Sequence, residues 1–198
     1  MLADLWPEAK LHVAAATAGA ARVAFLPKRP AAEHNHPVIP PGGHHAPQSL
    51  MNPQSLQSYL HQTIPLAAAM QVGVVTASED SVALCAPLPP NSNPHGTVFG
   101  GSATTLAILA AWSLLHCRLA QSGFEGQLVI QRHSMEYRQP LAGTFSARAV
   151  LAAPHDWPRF VAMLARHGKA RLSVTATLEQ DGAAAGEFSG EFVALAAH

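Results

Sequence analysis

The pattern of apolar and polar positions changes near residue 52. Between Pro27 and Pro53, prolines, glycines and histidines interrupt every periodic run, and a segment of this composition buries too little apolar surface to fold. We therefore predict a disordered, Pro/His-rich N-terminal extension over residues 1–52, in which a short helix around Ala9–Ala24 is the one candidate element. Residues 53–198 form the predicted globular domain, and one hypothesis is that Met51 is the true start of the chain.

The globular part shows helical and strand periodicities in a definite order. Apolar spacing at i, i+3 and i+4 predicts helices, whereas strict alternation predicts half-buried strands. The predicted helices are Pro53–Thr63, Ser102–Ala120 and a short one within Pro154–His167. The predicted strands are Gln71–Thr76, Ser81–Pro87, Gln127–Arg138, Gly143–Ala152, Lys169–Glu179 and Glu187–Leu195. Turn residues at 78–81 and at Asp181-Gly182 join the first two and the last two strands as hairpins.

The helix over Ser102–Ala120 is apolar on nearly every side, which is typical of a core helix. At about 28 Å it needs cover along several sides, and a curved sheet supplies that cover. This order of elements is that of the hotdog fold, an α+β fold in which a curved antiparallel sheet wraps around a long central helix. Because such a sheet has free edges, we expect a homodimer or a dimer of dimers.

Composition argues against several functional classes. Acidic and basic residues number 12 each and form no basic stripe, so we expect no nucleic-acid partner. The apolar run Ala103–Leu115 is shorter than the roughly 20 residues that span a bilayer, so we expect no membrane association. Cys85 and Cys117 fit buried, reduced thiols of a cytoplasmic protein. The extension has four histidines but no ligands to complete a metal shell, so no metal site is predicted. These histidines are His34, His36, His44 and His45.

The segment Asn91–Ser102 carries the strongest chemical signal, with the sequence N-S-N-P-H-G-T-V-F-G-G-S. It is a polar, glycine-rich turn that leads directly into the predicted core helix. Backbone N–H groups at a helix N-terminus attract carbonyl oxygens, phosphates and negative charge. The sequence therefore predicts an active site at this turn.

The same residues carry a family resemblance. The pattern N-x-N-x-x-G-T-x-F-G-G-S, followed by L-A-x-L-A-x-W, resembles the thioesterases of the hotdog superfamily, of the YiiD C-terminal-domain type. A second match is V-I-x-x-x-S-x-x-Y-x-x-P, which runs from Val129 to Pro140. The resemblance covers about residues 53–196, essentially the whole globular part.

The resemblance implies hydrolysis of acyl thioesters on coenzyme A or on acyl carrier protein. Coenzyme A or phosphopantetheine is then part of the substrate, and no cofactor is expected. A thioester carbonyl becomes an oxyanion when water attacks it, and backbone N–H groups at the start of the helix could bind that oxyanion. The implied catalytic residues are Asn93, Gly100, Gly101 and Ser102. The implied substrate-binding residues are Asn91, His95, Thr97, Phe99, Thr105, His133, Ser134 and Tyr137.

The chain departs from the better-known hotdog thioesterases at the expected carboxylate. Those proteins read H-G-G and carry an Asp or Glu one to two turns into the central helix. This chain has Phe99 at the histidine position and no acidic residue from Ser102 to Ala120. Hydrolysis then needs a base from elsewhere, such as His95, or a water molecule oriented by polar side chains. The candidates for orienting water are Asn93, Ser102, Thr105 and Ser134. Two alternatives stay open: a non-catalytic acyl-thioester binding module, and another acyl-carrier-protein enzyme such as a dehydratase.

Structural interpretations compete with several of these roles. Ser102 is expected to cap the helix, since serine favours that position. His133 is expected to be a hydrogen-bonded core histidine, and Asn91 and Asn93 are equally good turn residues. His155 and Asp156 are candidates for contact with a substrate of the partner subunit, but a helix cap is the preferred explanation. Arg132, Arg138 and Arg148 are candidates for binding the phosphates of coenzyme A, and solvated strand faces explain them equally well.

Overall fold

The computed structural model describes residues 52–197, in which four α-helices and six strands form the globular domain. The predicted extension (apart from Asn52), its candidate helix and the hypothesis on Met51 lie outside the described residues. The helices are α1 Pro53–Thr63, α2 Pro65–Ala69, α3 Gly100–Gln121 and α4 Trp157–His167. The strands are β1 Gly73–Ala77, β2 Ser81–Ala86, β3 Gly126–Tyr137, β4 Phe145–Leu151, β5 Lys169–Gln180 and β6 Ala183–Ala196. Short 3-10 helices lie at Pro89–Asn91 and Pro154–Asp156.

The strands form one sheet in the order β1-β2-β4-β5-β6-β3, and every neighbouring pair is antiparallel. The helix α3 packs against the inner face of this sheet, chiefly over β2, β4 and β5. The predicted hotdog architecture is therefore confirmed. The sheet ends at β1 on one side and at the 12-residue strand β3 on the other, so β3 hydrogen-bonds along one side alone, to β6.

Twelve residues of α3 are buried, as the sequence predicts for a core helix, and its half-buried residues Thr104, Thr105, Ile108, Trp112 and His116 lie along one face. By length and composition alone α3 could also cross a membrane, but 61% of its apolar window is buried inside the domain, which is the environment of a core helix. The alternation predicted for β5 is confirmed as well. Its even-numbered residues from Ala170 to Leu178 are buried against the core.

The residues that end α4 and form the turn between β5 and β6 are those that the sequence predicts. Gly168 ends α4 with a left-handed φ of 65°. Asp181 and Gly182 have φ values of 52° and 80°, the pattern of a type I′ hairpin turn. Asp156 lies at the predicted cap position of α4, although its side chain makes no capping hydrogen bond.

A bulge in β3 decides which of its side chains face the core. The register of β3 against β6 shifts between Ile130 and Arg132. Because side chains alternate along a strand, an extra residue exchanges the inner and outer positions beyond it. Leu128 and Ile130 pack against the core before the bulge, and Met135 does so after it. The bulge therefore turns the odd-numbered residues at the end of β3, including Tyr137, towards α3.

Three aromatic rings stack where α1 meets the second half of α3. The rings of Trp112 and His116 have centroids 4.5 Å apart, and Tyr59 of α1 lies 5.0 Å from His116, both pairs being nearly parallel. Trp112 donates its Nε1–H to the carbonyl of Leu128 at 3.0 Å, which ties the stack to β3. Burial lowers the pKa of His116 to about 4, and its Nε2 is buried with no partner among the described residues.

Acidification is expected to destabilise the domain through His116. An unfolded histidine titrates near 6.5 and the folded one near 4, so between these values the unfolded chain binds the extra proton and stability falls as pH falls. The expected loss from this residue is about 2 kcal/mol between pH 8 and pH 5. Urea unfolding of the wild type and of His116→Phe at both pH values measures it. The variant should lose about 2 kcal/mol less, and equal losses in both proteins would contradict the assignment.

Candidate functional site at the start of the central helix

The loop before α3 is held in shape by the side chain of Asn93. Its Nδ2–H donates to Thr97 Oγ1 at 2.8 Å, and its Oδ1 accepts the backbone N–H of His95 at 2.8 Å and that of Thr97 at 3.3 Å. The backbone N–H of Asn93 also donates to the carbonyl of Thr97. The amide is therefore engaged within its own turn, and the structural interpretation of Asn93 accounts for its contacts. His95 lies exposed at the tip of this turn.

Asn91 anchors the loop to the body of the domain. It is 1% exposed, and its Nδ2–H groups donate to the carbonyls of Met70 at 3.0 Å and Pro87 at 2.8 Å. Its own backbone carbonyl accepts the N–H of Phe99 at 2.8 Å, one residue before α3 begins. Because its side chain is enclosed, Asn91 is placed to position the helix terminus, and the direct substrate contact predicted for it has no open surface.

The helix α3 starts two residues earlier than the sequence indicates, at Gly100. Phe99 occupies the capping position but has no side-chain capping bond, and the first intrahelical bond runs from Ala103 N–H to the Phe99 carbonyl at 3.0 Å. The N–H groups of Gly100, Gly101 and Ser102 thus have no carbonyl one turn back to donate to. The predicted capping role of Ser102 is wrong, because this residue lies within the first turn.

Phe99 explains why residue 101 is a glycine. Its side chain is 56% exposed, and its ring lies over Gly101. A Cβ atom built on Gly101 would approach a carbon of that ring to 2.3 Å. The space that a side chain at position 101 would need is therefore already filled by the ring of Phe99, two residues earlier. Phe99 and Gly101 therefore shape the helix terminus together.

Tyr137, at the end of β3, is brought onto the first turn of α3. Its hydroxyl donates to the Gly100 carbonyl at 2.7 Å and lies 2.5 Å from Thr104 Oγ1. The Tyr137 proton goes to Gly100, so the Thr104 hydroxyl is the donor in the second bond. Sequence reasoning missed Thr104 as a contact, although a residue four positions after Gly100 lies directly over it in a helix.

Removing the Tyr137 hydroxyl is expected to loosen the first turn of α3. Tyr137→Phe deletes both hydrogen bonds, whereas Thr104→Val deletes one and leaves the bond to Gly100. We expect the first change to destabilise the domain by about 1 kcal/mol and the second by less. In a turnover assay, Tyr137→Phe should lower kcat about tenfold if this turn binds the transition state. Equal kcat values for Tyr137→Phe and the wild type would contradict a role for this hydroxyl.

The other predicted site residues lie in three places: on α3, on the outer face of the sheet and on its inner face. Ser102 and Thr105 are half-buried on the first two turns of α3. Ser134 pairs with Ser189 of β6 and lines the outer face, away from the helix terminus. His133 lies on the inner side, with its ring 5.6 Å from that of Phe188, but it is about 13 Å along β3 from Tyr137.

The predicted core environment of His133 is wrong, because an edge strand leaves this side chain exposed.

Two of the arginines considered for phosphate binding form ion pairs with glutamates of β6. Arg132 lies 2.9 Å from Glu191, and Arg138 lies 3.0 Å from Glu187. Within residues 52–197, no group of His, Cys, Asp or Glu side chains is arranged to hold a metal ion.

A six-stranded antiparallel sheet packed around one long central helix defines a protein of the hotdog fold. Residues 53–196 match the family model described as "Putative thioesterase (yiiD_Cterm)". Because this match covers well over half of the 198 residues, the chain belongs to that family.

Solved structures agree with this assignment. The "putative thioesterase" from Shewanella oneidensis is 25% identical, with a TM-score of 0.65 over 75% of this chain and 99% of its own. A protein "with unknown function" from Chlorobaculum tepidum TLS is 24% identical, with a TM-score of 0.68 over 76% and 99% of the two chains. A thioesterase from Haemophilus influenzae is 12% identical, with a TM-score of 0.59 over 73% and 90%. The last two show the shared fold alone.

Proposed function

We propose that this protein hydrolyses acyl thioesters of coenzyme A or acyl carrier protein at the start of α3. The observation that carries the proposal is the first turn of this helix, where the N–H groups of Gly100, Gly101 and Ser102 lack intrahelical acceptors. They point out of the helix with its positive dipole end behind them. A thioester carbonyl oxygen bound there is stabilised most strongly when it becomes an oxyanion.

In the proposed reaction, water attacks the thioester carbonyl carbon and the oxyanion forms against these N–H groups. The tetrahedral intermediate then collapses, the carbon–sulfur bond breaks, and the thiolate leaves with one proton of the attacking water, while the second proton of that water passes to solvent. The products are a carboxylate and a free thiol. Of the side chains considered for orienting water, Asn93 is engaged in its turn and Ser134 lies on the outer face. Ser102 and Thr105 are the candidates that remain beside the helix terminus.

The missing carboxylate favours slow turnover in this proposal. General acid–base catalysis typically supplies about 10²–10⁴-fold, and α3 contains no acidic residue to supply it. The same observation favours a second candidate function, a binding module that holds an acyl thioester without cleaving it. A hotdog dehydratase is less well supported, because such enzymes normally pair a histidine with an acid on the central helix.

We further propose that two copies associate through β3. This strand presents 12 residues whose backbone groups hydrogen-bond on one side alone, and most of its side chains are exposed. Val129 and Tyr137 on β3, and Phe99 just before α3, are among the most exposed large apolar residues of the domain, at 45%, 53% and 56%. A long free edge bordered by apolar side chains is well suited to strand pairing across a two-fold axis. A cytoplasmic location and delivery by acyl carrier protein stay predictions from the sequence.

The proposal is tested by thiol release from a panel of acyl-CoA thioesters, namely acetyl-, hexanoyl-, decanoyl- and phenylacetyl-CoA. We expect release above the uncatalysed rate for at least one member, and Ser102→Ala should lower that rate, with Ser189→Ala on the outer face as the matched control. If no member is cleaved but calorimetry detects binding, the binding module is the correct function. If neither cleavage nor binding is seen, and acyl carrier protein thioesters give the same result, the proposal fails.

A further inference from the structure

The outward side of α4 and the strand that follows it carry an unbalanced group of cations. No acidic residue occurs in residues 157–178, which contain four of the 12 lysines and arginines of the chain. Three of these four, Arg159, Arg166 and Lys169, form no ion pair with any residue from 52 to 197. A chain whose acidic and basic residues balance overall therefore concentrates unpaired positive charge in one place.

Helical spacing places two of these cations on either side of an exposed apolar side chain. Arg159, Met163 and Arg166 stand at i, i+4 and i+7, so they form one stripe about 10 Å long on α4. All three are exposed, Met163 by 44%, and the buried residues of α4 lie on its opposite side. Lys169, the first residue of β5, follows just beyond the helix. We call Arg159, Met163, Arg166 and Lys169 the basic α4 face.

Helix stability does not account for Arg159. It is the third residue of α4, in a first turn that contains no acidic residue. The N–H groups at a helix N-terminus make that end positive, so a cation there is disfavoured. Asp156, just before the helix, lies 3.8 Å from His155 and does not pair with Arg159. Arg166, in the last turn, is favoured by the same dipole, so Arg159 is the residue that binding explains better than folding.

A groove of about 330 Å³ between α4 and the strands β5 and β6 adjoins this face. Its charged lining residues are Asp156, Arg159, Arg171 and Glu191. Glu191 is 16% exposed and lies 3.0 Å from Arg171 and 2.9 Å from Arg132, so its charge is matched within the domain. Met163 adds apolar surface to the same groove. The groove can therefore receive an apolar side chain next to the unpaired charge of Arg159.

We propose that the basic α4 face docks an acidic amphipathic helix of a partner protein. Such a helix places an apolar residue against Met163, and its carboxylates one turn to either side meet Arg159 and Arg166. A lipid surface fits less well, because the large aromatic side chain of α4, Trp157, is turned towards Arg118 of the core helix. Nucleic acid also fits less well, because four cations make no extended stripe.

This surface is separate from the proposed thioester site. Arg118, whose guanidinium carbon lies 4.3 Å from the Trp157 ring centre, follows Gly100 by 18 positions, which is about 27 Å along α3. The start of α4 is therefore far from the open N–H groups of α3. The inference goes beyond the proposed function and depends neither on it nor on pairing through β3. Changes on the basic α4 face should leave thiol release from acyl-CoA unchanged.

The partner class is tested by binding of a synthetic helix to the full chain, followed by fluorescence anisotropy. The probe is an alanine-based peptide of roughly 20 residues, with glutamates and a central leucine at the spacing of Arg159, Met163 and Arg166. At low salt it should bind about tenfold more tightly than the same peptide with glutamine for each glutamate, and added salt should weaken it. Equal binding of the two peptides, or no binding of either, would overturn the proposal.

The position of the surface is tested by reversing one charge. Arg159→Glu should weaken binding of the acidic peptide about tenfold, since attraction becomes repulsion. The midpoint of urea unfolding should stay the same or rise, because an acidic residue suits the first turn of a helix. Arg148→Glu is the matched control, since Arg148 is also exposed and forms no ion pair within residues 52–197, but lies on β4. It should bind like the wild type, and equal losses in both variants would overturn the assignment to α4.

Two further probes distinguish other anionic partners from an acidic helix. These are vesicles of phosphatidylglycerol and phosphatidylcholine, and duplex DNA. We expect both to bind more weakly than the acidic peptide. If either binds more tightly than the peptide, and loses that binding in Arg159→Glu, the partner is a lipid surface or a nucleic acid and the acidic helix is wrong.

Discussion

Gly101→Ala is expected to lower thioester hydrolysis about 100-fold while leaving the domain at least as stable as the wild type. The loss follows from the first turn of α3, where the new Cβ atom would lie 2.3 Å from a carbon of the Phe99 ring. The ring is 56% exposed and can move aside, but it then crowds the space into which the free N–H groups point. Losing one oxyanion donor typically costs about 10²–10³-fold in kcat.

Stability should move in the opposite direction from activity. Alanine is favoured over glycine inside a helix by roughly 0.5–1 kcal/mol, and displacing an exposed ring costs little. The double variant Phe99→Ala/Gly101→Ala removes the obstructing ring and should recover part of the lost kcat. Steady-state kinetics on the best substrate of the panel, together with urea unfolding, measure both effects. Wild-type kcat in Gly101→Ala would place the site away from this helix terminus.

Much of the fold could be predicted because its signals are local. The turn at Asp181-Gly182 was predicted because hairpin turns need residues that accept positive φ, and both residues have it. The central position of α3 was predicted because a helix with apolar residues on every side has to be covered on every side. Its first residue was predicted two positions late, since Gly100 and Gly101 read as loop residues and serine suggested a cap.

The contacts of the candidate site could not be predicted to the same extent, because they join residues far apart in sequence. Tyr137 reaches Gly100 only because a bulge after Ile130 turns it towards α3, and no glycine or proline marks that bulge. The same bulge leaves Ser134 on the outer face. His133 was expected in the core because alternation says which face a residue takes, but not whether its strand lies at the edge of the sheet.

Arg118 is a second feature that local patterns do not reveal, and it links three parts of the domain. This α3 side chain is 9% exposed, and its Nη1–H donates to the backbone carbonyl of Glu79 in the turn between β1 and β2 at 2.6 Å. Its guanidinium carbon lies 4.3 Å from the centre of the Trp157 ring at the start of α4. The position, in the last turn of α3, also places a cation at the negative end of the helix dipole.

Arg118→Ala is therefore expected to destabilise the domain by about 3 kcal/mol. The estimate combines a charged hydrogen bond, worth about 1.5–3 kcal/mol, with a largely desolvated cation–π contact worth up to about 2 kcal/mol, and these are not strictly additive. Arg118→Lys keeps the charge but loses the planar group that both lies over Trp157 and reaches Glu79, so it should recover less than half of the loss. Urea unfolding at neutral pH gives the values.

Glu79→Gln is the control that separates these contacts from an ordinary ion pair. The Glu79 carboxylate lies 3.9 Å from Arg118 Nη2 and is 70% exposed, so solvent screens most of their attraction. The backbone carbonyl that accepts the hydrogen bond is unchanged in this variant. We expect a loss of less than about 0.5 kcal/mol, because exposed pairs contribute little. If Glu79→Gln instead loses as much as Arg118→Ala, the carboxylate is the main partner of this arginine, and the contacts to the turn carbonyl and to Trp157 are secondary.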